Sequence, residues 1–207
     1  LSVEDQTATL LDRLRGGDHE ALGELYMLHR DRLWRMALMR LDGRLAARVT
    51  ADDVLQEAFL DVARRIGEYL ADPAVPVYVW LRFLVLQRVQ AAHRTHLGAQ
   101  ARDVSQEVAL PAGRVPSASS DSIAGQFVSH LTSPSQAAMR RELEDRLRAA
   151  LKAMEPLDRE VLVLRHFEEL GNAEVAALLG ISKDAASKRH VRALLRLRDI
   201  LADLAGA

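Results

Sequence analysis

Residues 172–197, NAEVAALLGISKDAASKRHVRALLRL, constrain this chain more than any other stretch, because a glycine falls where one helical pattern must turn into another. Val175, Leu178 and Leu179 recur at i, i+3 and i+4, which gives the first helix one apolar face, and Asn172 stands where an N-cap is wanted. Gly180 then closes that helix, since glycine takes the left-handed conformation without steric cost. Ile181 is expected to tuck into the angle between the two helices and Ser182 to cap the second. The spacing is that of a helix-turn-helix.

The second helix carries the charge. Between Lys183 and Arg198 lie six basic residues, Lys183, Lys188, Arg189, Arg192, Arg196 and Arg198, against the single acid Asp184, in a chain whose formal net charge is −1. Phosphate neutralisation and major-groove reading both need such a local excess, with short polar side chains such as Ser182 and Ser187 near the helix N-terminus to approach base edges. The plain alternative is an amphipathic helix with a solvated basic face. The near-neutral total implies weak DNA binding by the chain alone, because a free-standing DNA binder usually carries a basic excess.

The 207 residues allow one large or two small domains, and the low aromatic content, 4% within 49% hydrophobic, suits helical cores built from Leu and Ala. The absence of cysteine excludes disulfides, thiolate zinc sites and thiol catalysis, and fits a reducing compartment. No run approaches the roughly 18 apolar residues of a membrane span, and the N-terminus lacks a charged-then-apolar signal pattern. A soluble, cytoplasmic chain with no membrane contact is expected.

Along the chain, residues 10–41 carry apolar positions at helical spacing: Leu22, Leu25, Tyr26, Leu33, Met36, Ala37 and Leu41. Gly16-Gly17-Asp18 separates this helix from a short N-terminal turn of helix, and Asp42-Gly43 breaks it. A new helix begins at Thr50, whose hydroxyl caps while Asp53 completes a capping box, and runs through Val54, Leu55, Ala58, Phe59, Val62 and Ile66. Asp72-Pro73-Ala74-Val75-Pro76 ends it in a loop. Val79 to His96 reads as a long helix with Trp80, Leu84 and Val85 toward the core and Leu81 and Val89 nearby. Arg82, Gln87, Arg88, Gln90, His93 and Arg94 form its basic, amide-rich surface. Such a mix serves either single-strand binding, through stacking and amide contacts, or simple solvation.

Residues 98–132 turn to Ser, Gly, Pro and Ala without sustained periodicity, which predicts a flexible linker with room for short ordered pieces around 104–110 and 123–131. Ser133, Pro134 and Gln136 then start a helix, capped and with proline in the first position. Met139, Leu143, Leu147, Ala150, Leu151 and Met154 follow at helical spacing. Pro156 interrupts, and LDREVLVLRHF supplies one more helix. The expected fold is all-α: a helical N-terminal domain over 1–97, the linker over 98–132, and a helical C-terminal domain over 133–207 that contains the helix-turn-helix.

The assembled pattern resembles the extracytoplasmic-function (ECF) sigma factors, two-domain bacterial initiation factors that confer promoter choice on RNA polymerase. The carriers are DDVLQEAF at 52–59 and LDREVLVLRHFEELGNAEVAALLGISKDAASKRHVRALLRLR at 157–198, in this order and separated by a linker. RFLVLQRVQAAHRTHLGAQARDV and TSPSQAAMRRELEDRL are similar in wording to a subgroup frequent in planctomycetes.

The resemblance implies partners and roles. RNA polymerase core is engaged at its β′ clamp and β flap, with Asp52, Asp53, Gln56 and Glu57 facing basic residues of the clamp; read without the resemblance, these are a capped, solvated helix start favoured by the macrodipole. The loop from Asp72 to Tyr78 matches the segment that captures a flipped base of the −10 promoter element, a displacement costing about a few kcal/mol. Arg82, Gln87, Arg88, His93 and Arg94 then lie along the melted strand, with Trp80 a stacking group or, on the better reading, a core residue. The linker matches a segment threading the polymerase cleft, although Arg102 and Arg114 against Asp103, Glu107 and Asp121 make a poor RNA mimic. Ser182, Lys183, Ser187, Lys188 and Arg192 read the −35 element as duplex, and Arg189 is assigned either there or to bracing the helix. Ala185-Ala186 stands where the family commonly has Thr-Val, which leaves open which neighbour reaches the bases. An anti-sigma factor or a Ser/Thr kinase is a further implied partner. Some members lacking acids just before the clamp helix are switched by threonine phosphorylation, and Thr50-Ala51 stands where acids are frequent; the plain reading of Thr50 is an N-cap.

No catalytic role is expected. Asp52, Asp53 and Glu57 lack a nearby nucleophile, burial cue or Gly-rich phosphate loop. His93 and His96 at i, i+3 lack a further ligand, so neither a metal nor a cofactor is expected. Two other functions fit a C-terminal helix-turn-helix: a stand-alone transcriptional regulator with an N-terminal sensory or dimerisation domain, binding paired half-sites as a dimer, and an adaptor that sequesters another factor.

Overall fold

The computed structural model describes residues 2–41, 45, 48–97, 120, 123–124 and 137–205. Among these the secondary structure is helical throughout: α1 (Val3–Arg15), α2 (Ala21–Arg40), α3 (Ala51–Ala71), α4 (Val77–Leu97), α5 (Ala137–Ala153), α6 (Pro156–His166), α7 (Asn172–Leu179) and α8 (Lys183–Ala205). The chain divides into two compact units, Leu1–Gln106 and Glu107–Ala207.

In the first unit, α2 packs on α1, α3 and α4, and α3 packs on α4. The α1 helix is longer than the short turn expected, because Leu10 and Leu14, one turn apart, are both buried and Ser2 and Asp5 form a capping box at its start. It ends at Gly16 and Gly17, the latter at φ 89°, a backbone region that suits glycine. The Arg13 guanidinium bridges Asp18 and Glu24 across that turn and ties α1 to α2. The Tyr26 hydroxyl donates to the Leu55 carbonyl at 2.8 Å, a buried link from α2 to α3.

The α4 helix decides the interior of this unit. Its N-terminal two-thirds is apolar nearly all round, and Val77–Arg82, Leu84–Leu86 and Val89 are buried. Two expectations are corrected here. Tyr78 and Arg82, assigned to the DNA surface, are each only 1% exposed. A helix covered by α2 on one side and α3 on another leaves no polar face at these positions, so both side chains are enclosed. The Tyr78 ring takes the Arg32 guanidinium over its face, 3.8 Å from the centroid, and lies beside the His29 ring. Trp80 is buried and stacks on Tyr69 at 4.8 Å, as its core reading requires.

In the second unit α8 packs on α5, α6 and α7. Leu147, Leu151, Val161–Leu164, Phe167, Leu170 and Val175 meet Ala186, Ala193 and Leu197 in its core. Pro156 occupies the first turn of α6, where a missing N–H costs nothing. Three residues within the expected linker, Ser120, Ile123 and Ala124, are helical and buried, and the Arg159 guanidinium donates to Ser120 Oγ at 3.3 Å and to the Leu151 carbonyl at 3.1 Å. The remainder of 98–132, including Arg102, Asp103, Glu107, Arg114 and Asp121, lies outside the described residues. So do the Asp42-Gly43 break, the Ser133-Pro134-Gln136 helix start, and the side chains of Met139, Leu143 and His96.

His29 makes the first unit acid-sensitive. Its ring is 3% exposed, Nε2 lies 3.2 Å from Thr7 Oγ1, and Nδ1 has no hydrogen-bond partner. Burial first, and the Arg32 charge second, lower its pKa to about 4 from 6.5. The folded state therefore binds fewer protons than the unfolded chain between those values. The stability due to neutral His29 is fully present above about pH 6.5 and is lost as pH falls through about 4, a difference on the order of 3 kcal/mol. Urea unfolding followed by tryptophan fluorescence across this pH range is expected to show that loss, and His29→Gln to flatten it; both tryptophans, Trp34 and Trp80, report on this unit.

Candidate functional site

The helix-turn-helix is built from local signals. The α7 helix starts at Asn172, but the residue that caps it is Gly171, whose N–H donates to the Glu174 carboxylate at 2.9 Å. Asn172 thus occupies the first helical position and is not the cap: Glu174, three residues past Gly171, reaches back to the Gly171 N–H. Gly180 ends α7 at φ 63°, ψ 34°, with its N–H on the Ala176 carbonyl, and the Ile181 N–H shares that acceptor at 3.0 Å. Ser182 Oγ accepts from the Ala185 N–H at 3.1 Å and starts α8.

The α8 helix then separates its two faces. Ala186, Ala193 and Leu197 are buried and Ala185 is half-buried, which seats the helix closely on its neighbours. Arg189 donates to Asp158 on α6 at 2.7 Å, with both side chains largely buried, so it braces the helix. Ser182, Lys183, Ser187, Lys188 and Arg192 are all exposed. They lie in the N-terminal half of the helix, the end that enters a groove first in proteins of this architecture.

The first unit carries a different surface. Asp52, Asp53, Gln56 and Glu57 are exposed on the first two turns of α3. Asp53 accepts from the Thr50 N–H and hydroxyl, and these bonds, side chain first, hold its carboxyl below the usual carboxylate range. Asp52 accepts from the Arg30 guanidinium and from Trp34 Nε1 at 3.2 Å, both on α2. These acids line a shallow open groove between α2 and α3, together with Tyr26, Met27, Phe59 and Leu60. Met27 and Leu60 are 63% and 54% exposed. Sequence reasoning missed this apolar half of the surface; the signal was two large apolar residues standing outside the core register of their helices.

The third group is more scattered. Asp72 is exposed at the end of α3, in the loop that the Tyr69 hydroxyl fastens by donating to the Val75 carbonyl at 3.0 Å. Arg94 is exposed and Gln87 and His93 are half-buried on α4. The Arg88 guanidinium is engaged: it donates twice to Asp61 and lies 3.5 Å from Glu57. That pairing holds the Asp61 carboxyl below its usual range and joins α3 to α4. Of the residues expected to meet the −10 element, Asp72, Gln87, His93 and Arg94 therefore reach the surface, Arg88 is tied into an ion pair, and Tyr78 and Arg82 are interior.

Among the described residues no group of three or more His, Asp or Glu side chains is placed to hold a metal ion, and no helix is long and apolar enough to cross a membrane.

A helix-turn-helix with an exposed basic recognition helix, in a chain of two helical units, defines a protein that meets nucleic acid. Residues 144–197 match the family model "Sigma-70, region 4". The chain is 31% identical over 197 residues to the RNA polymerase sigma factor CarQ of Myxococcus xanthus, covering 94% of this chain and 97% of that one. It is 29% identical over 183 residues to the ECF RNA polymerase sigma factor SigD of Mycobacterium bovis, covering 88% and 78%. The solved structure of CnrH in complex with the cytosolic domain of CnrY shares the fold, at a TM-score of 0.55 and 22% identity over 96% of this chain and 99% of that one. The chain belongs to the ECF RNA polymerase sigma factors.

The turn yields a direct test. Gly180→Ala places a Cβ on a left-handed residue and is expected to cost about 1–2 kcal/mol. Thermal unfolding of the second unit, followed by circular dichroism, should show the lowered midpoint; an unchanged midpoint would mean that the turn does not need glycine.

Proposed function

We propose that this sigma factor divides its work between its units: 1–97 binds RNA polymerase core and the −10 element, and 133–207 binds the −35 element. The observation that carries the reading is the placement of Ser182, Lys183, Ser187, Lys188 and Arg192 together on the exposed side of a helix whose other side is anchored by Ala186, Ala193, Leu197 and the Arg189–Asp158 pair. A reader of base edges must be rigid on one face and free on the other.

The groove of Asp52, Asp53, Gln56 and Glu57 with Met27 and Leu60 supplies the contact with the β′ clamp: the acids choose a basic partner and the apolar side chains supply burial. The −10 surface is the loop from Asp72 with Gln87, His93 and Arg94, and with Arg88 only where strand binding displaces its pair with Asp61. The β flap and promoter DNA complete the set of partners, and the setting is the cytoplasm. A protein regulator of the anti-sigma kind is proposed on the same footing; CnrH was solved with a domain of CnrY. Polymerisation chemistry is assigned to the core enzyme and none to this chain. The planctomycete-like subgroup rests on the wording of residues 82–104 and 132–147.

Thr50 is read here as an N-cap, since its hydroxyl and N–H are both committed to Asp53. That commitment also dictates which acids to test. Reversing Asp53 would remove a cap worth about 1 kcal/mol, whereas Asp52 and Glu57 are exposed and their links to Arg30, Trp34 and Arg88 lie at the surface, where ion pairs contribute little. Asp52→Lys with Glu57→Lys is expected to lower affinity for core polymerase by tenfold or more while leaving the melting curve nearly unchanged. Co-elution of the double variant with core at normal affinity would remove the clamp assignment.

On α8, Lys188 and Arg192 are one turn apart and Arg196 lies a turn beyond. Loss of a base contact costs about 1–3 kcal/mol at one base pair, whereas loss of a phosphate contact weakens all sites alike and lowers the salt slope by about one. Lys188→Ala should therefore change the preferred −35 sequence in transcription from a promoter library, and Arg196→Ala should lower output uniformly. An unchanged sequence profile with Lys188→Ala would show that this helix does not read bases through that residue.

A further inference from the structure

Outside the surfaces assigned above, two histidines from different helices meet. His166 ends α6 and is exposed; His190 lies in the middle of α8 and is half-buried. Their Nε2 atoms are 2.9 Å apart and their ring centroids 5.1 Å. Without a bound ion one Nε2–H donates to the other Nε2, and these separations set the two rings nearly end to end, each Nε2 aimed at the other.

We propose that His166 and His190 form a two-imidazole site for a divalent transition-metal ion, with solvent in the remaining positions. Metal–imidazole bonds are about 2.0–2.1 Å long. Two such bonds across a 2.9 Å separation subtend about 90° at the metal. That is the angle between adjacent ligands in square-planar and octahedral complexes, which suits Cu²⁺ and Ni²⁺ once each ring tilts to turn its Nε2 from the other ring toward a shared ion, whereas tetrahedral Zn²⁺ needs the rings further apart as well. On binding, the proton between the rings moves to Nδ1 of its own imidazole. Both rings stay neutral and each offers an Nε2 lone pair.

The surroundings keep the rings in the form that ligates. Burial first, then the Arg165 charge, lowers the pKa of His166; burial, His166 and Arg165 lower that of His190. Both imidazoles are therefore neutral at neutral pH, and protons compete little for the site. The guanidinium of Arg165 also opposes a dication, although it is fastened to the Leu170 carbonyl. With two protein ligands and that opposing charge, the site is one of moderate affinity. A bound ion would clip the end of α6 to the middle of the recognition helix, close to the Arg189–Asp158 pair, and so stiffen the second unit. This inference rests on the two side chains and is independent of the sigma-factor reading.

The test uses the full, untagged chain and Cu²⁺. Electron paramagnetic resonance of the chain with one equivalent of Cu²⁺ is expected to show coupling to two imidazole nitrogens, and calorimetric titration to show one saturable site. His166→Gln and His190→Gln should each weaken that site by tenfold or more, with His93→Gln leaving it unchanged. Saturating Ni²⁺ should raise the melting temperature of the wild type by several degrees and that of neither His166→Gln nor His190→Gln. Equal binding by wild type and both variants, or no saturable binding, would overturn the proposal. Should either variant fail to fold, the wild-type spectrum decides: coupling to two imidazoles supports the site, and coupling to one or none refutes it.

Discussion

The C-terminal unit depends on the left-handed backbone at Gly180. That residue stops α7 after two turns and redirects the chain within two residues, so that Ser182 can start α8 at the angle its inner face requires. Ala186, Ala193 and Leu197 then reach the core, and small side chains at the first two let α8 approach its neighbours closely. The Arg189–Asp158 pair sets rotation about the helix axis, since a partly buried ion pair loses far more when separated than when merely exposed. What remains outside is a row of short polar and basic residues whose positions follow from the anchoring on the opposite side. Turn, core contact and exposed charge are thus one arrangement.

The N-terminal unit solves a different problem. It must enclose α4, a helix apolar nearly all round, and also present acids and loop residues at its rim. Enclosure explains the polar groups in its interior: Arg82, Tyr78 and His29 sit where an otherwise apolar helix is covered on several sides. The two ends of α3 set the rim. At one end the Thr50–Asp53 box fixes the helix start and orients Asp52 and Glu57 outward. At the other, the prolines of 73–76 prevent continuation and Tyr69 holds the loop through the Val75 carbonyl.

Much of this was legible in residue order, for local reasons. Capping boxes and a glycine between two amphipathic patterns act over three or four residues, so Thr50–Asp53, Gly180 and Ser182 stand where sequence reading placed them, whereas Pro156, read as an interruption, opens α6. Asn172 was misread because Asn caps well in general, whereas here Glu174 serves the preceding glycine. Tyr78 and Arg82 were misread for a non-local reason. Periodicity shows which face of a helix is most apolar, but not whether further helices cover the rest, and an arginine within VYVWLRFLVLQRV has apolar neighbours on every side. Arg88 shows a related limit: its partner Asp61 is on another helix, and no spacing rule connects residues 27 positions apart. The surfaces in Met27 and Leu60 were missed because a helical pattern is read for what it buries.

On the proposed division of roles, the first unit attaches the chain to RNA polymerase, and attachment supplies affinity that a chain of net charge −1 lacks for DNA on its own. A stand-alone regulator would instead bind duplex DNA unaided. Run-off transcription by purified bacterial core polymerase, with and without the full chain, on a library of −35 and −10 sequences separates the two directly. The account predicts transcripts from a restricted promoter set only when the chain is present, with no saturable duplex binding by the chain alone at physiological salt. Specific duplex binding by the free chain, with core transcription unchanged by its addition, would contradict it.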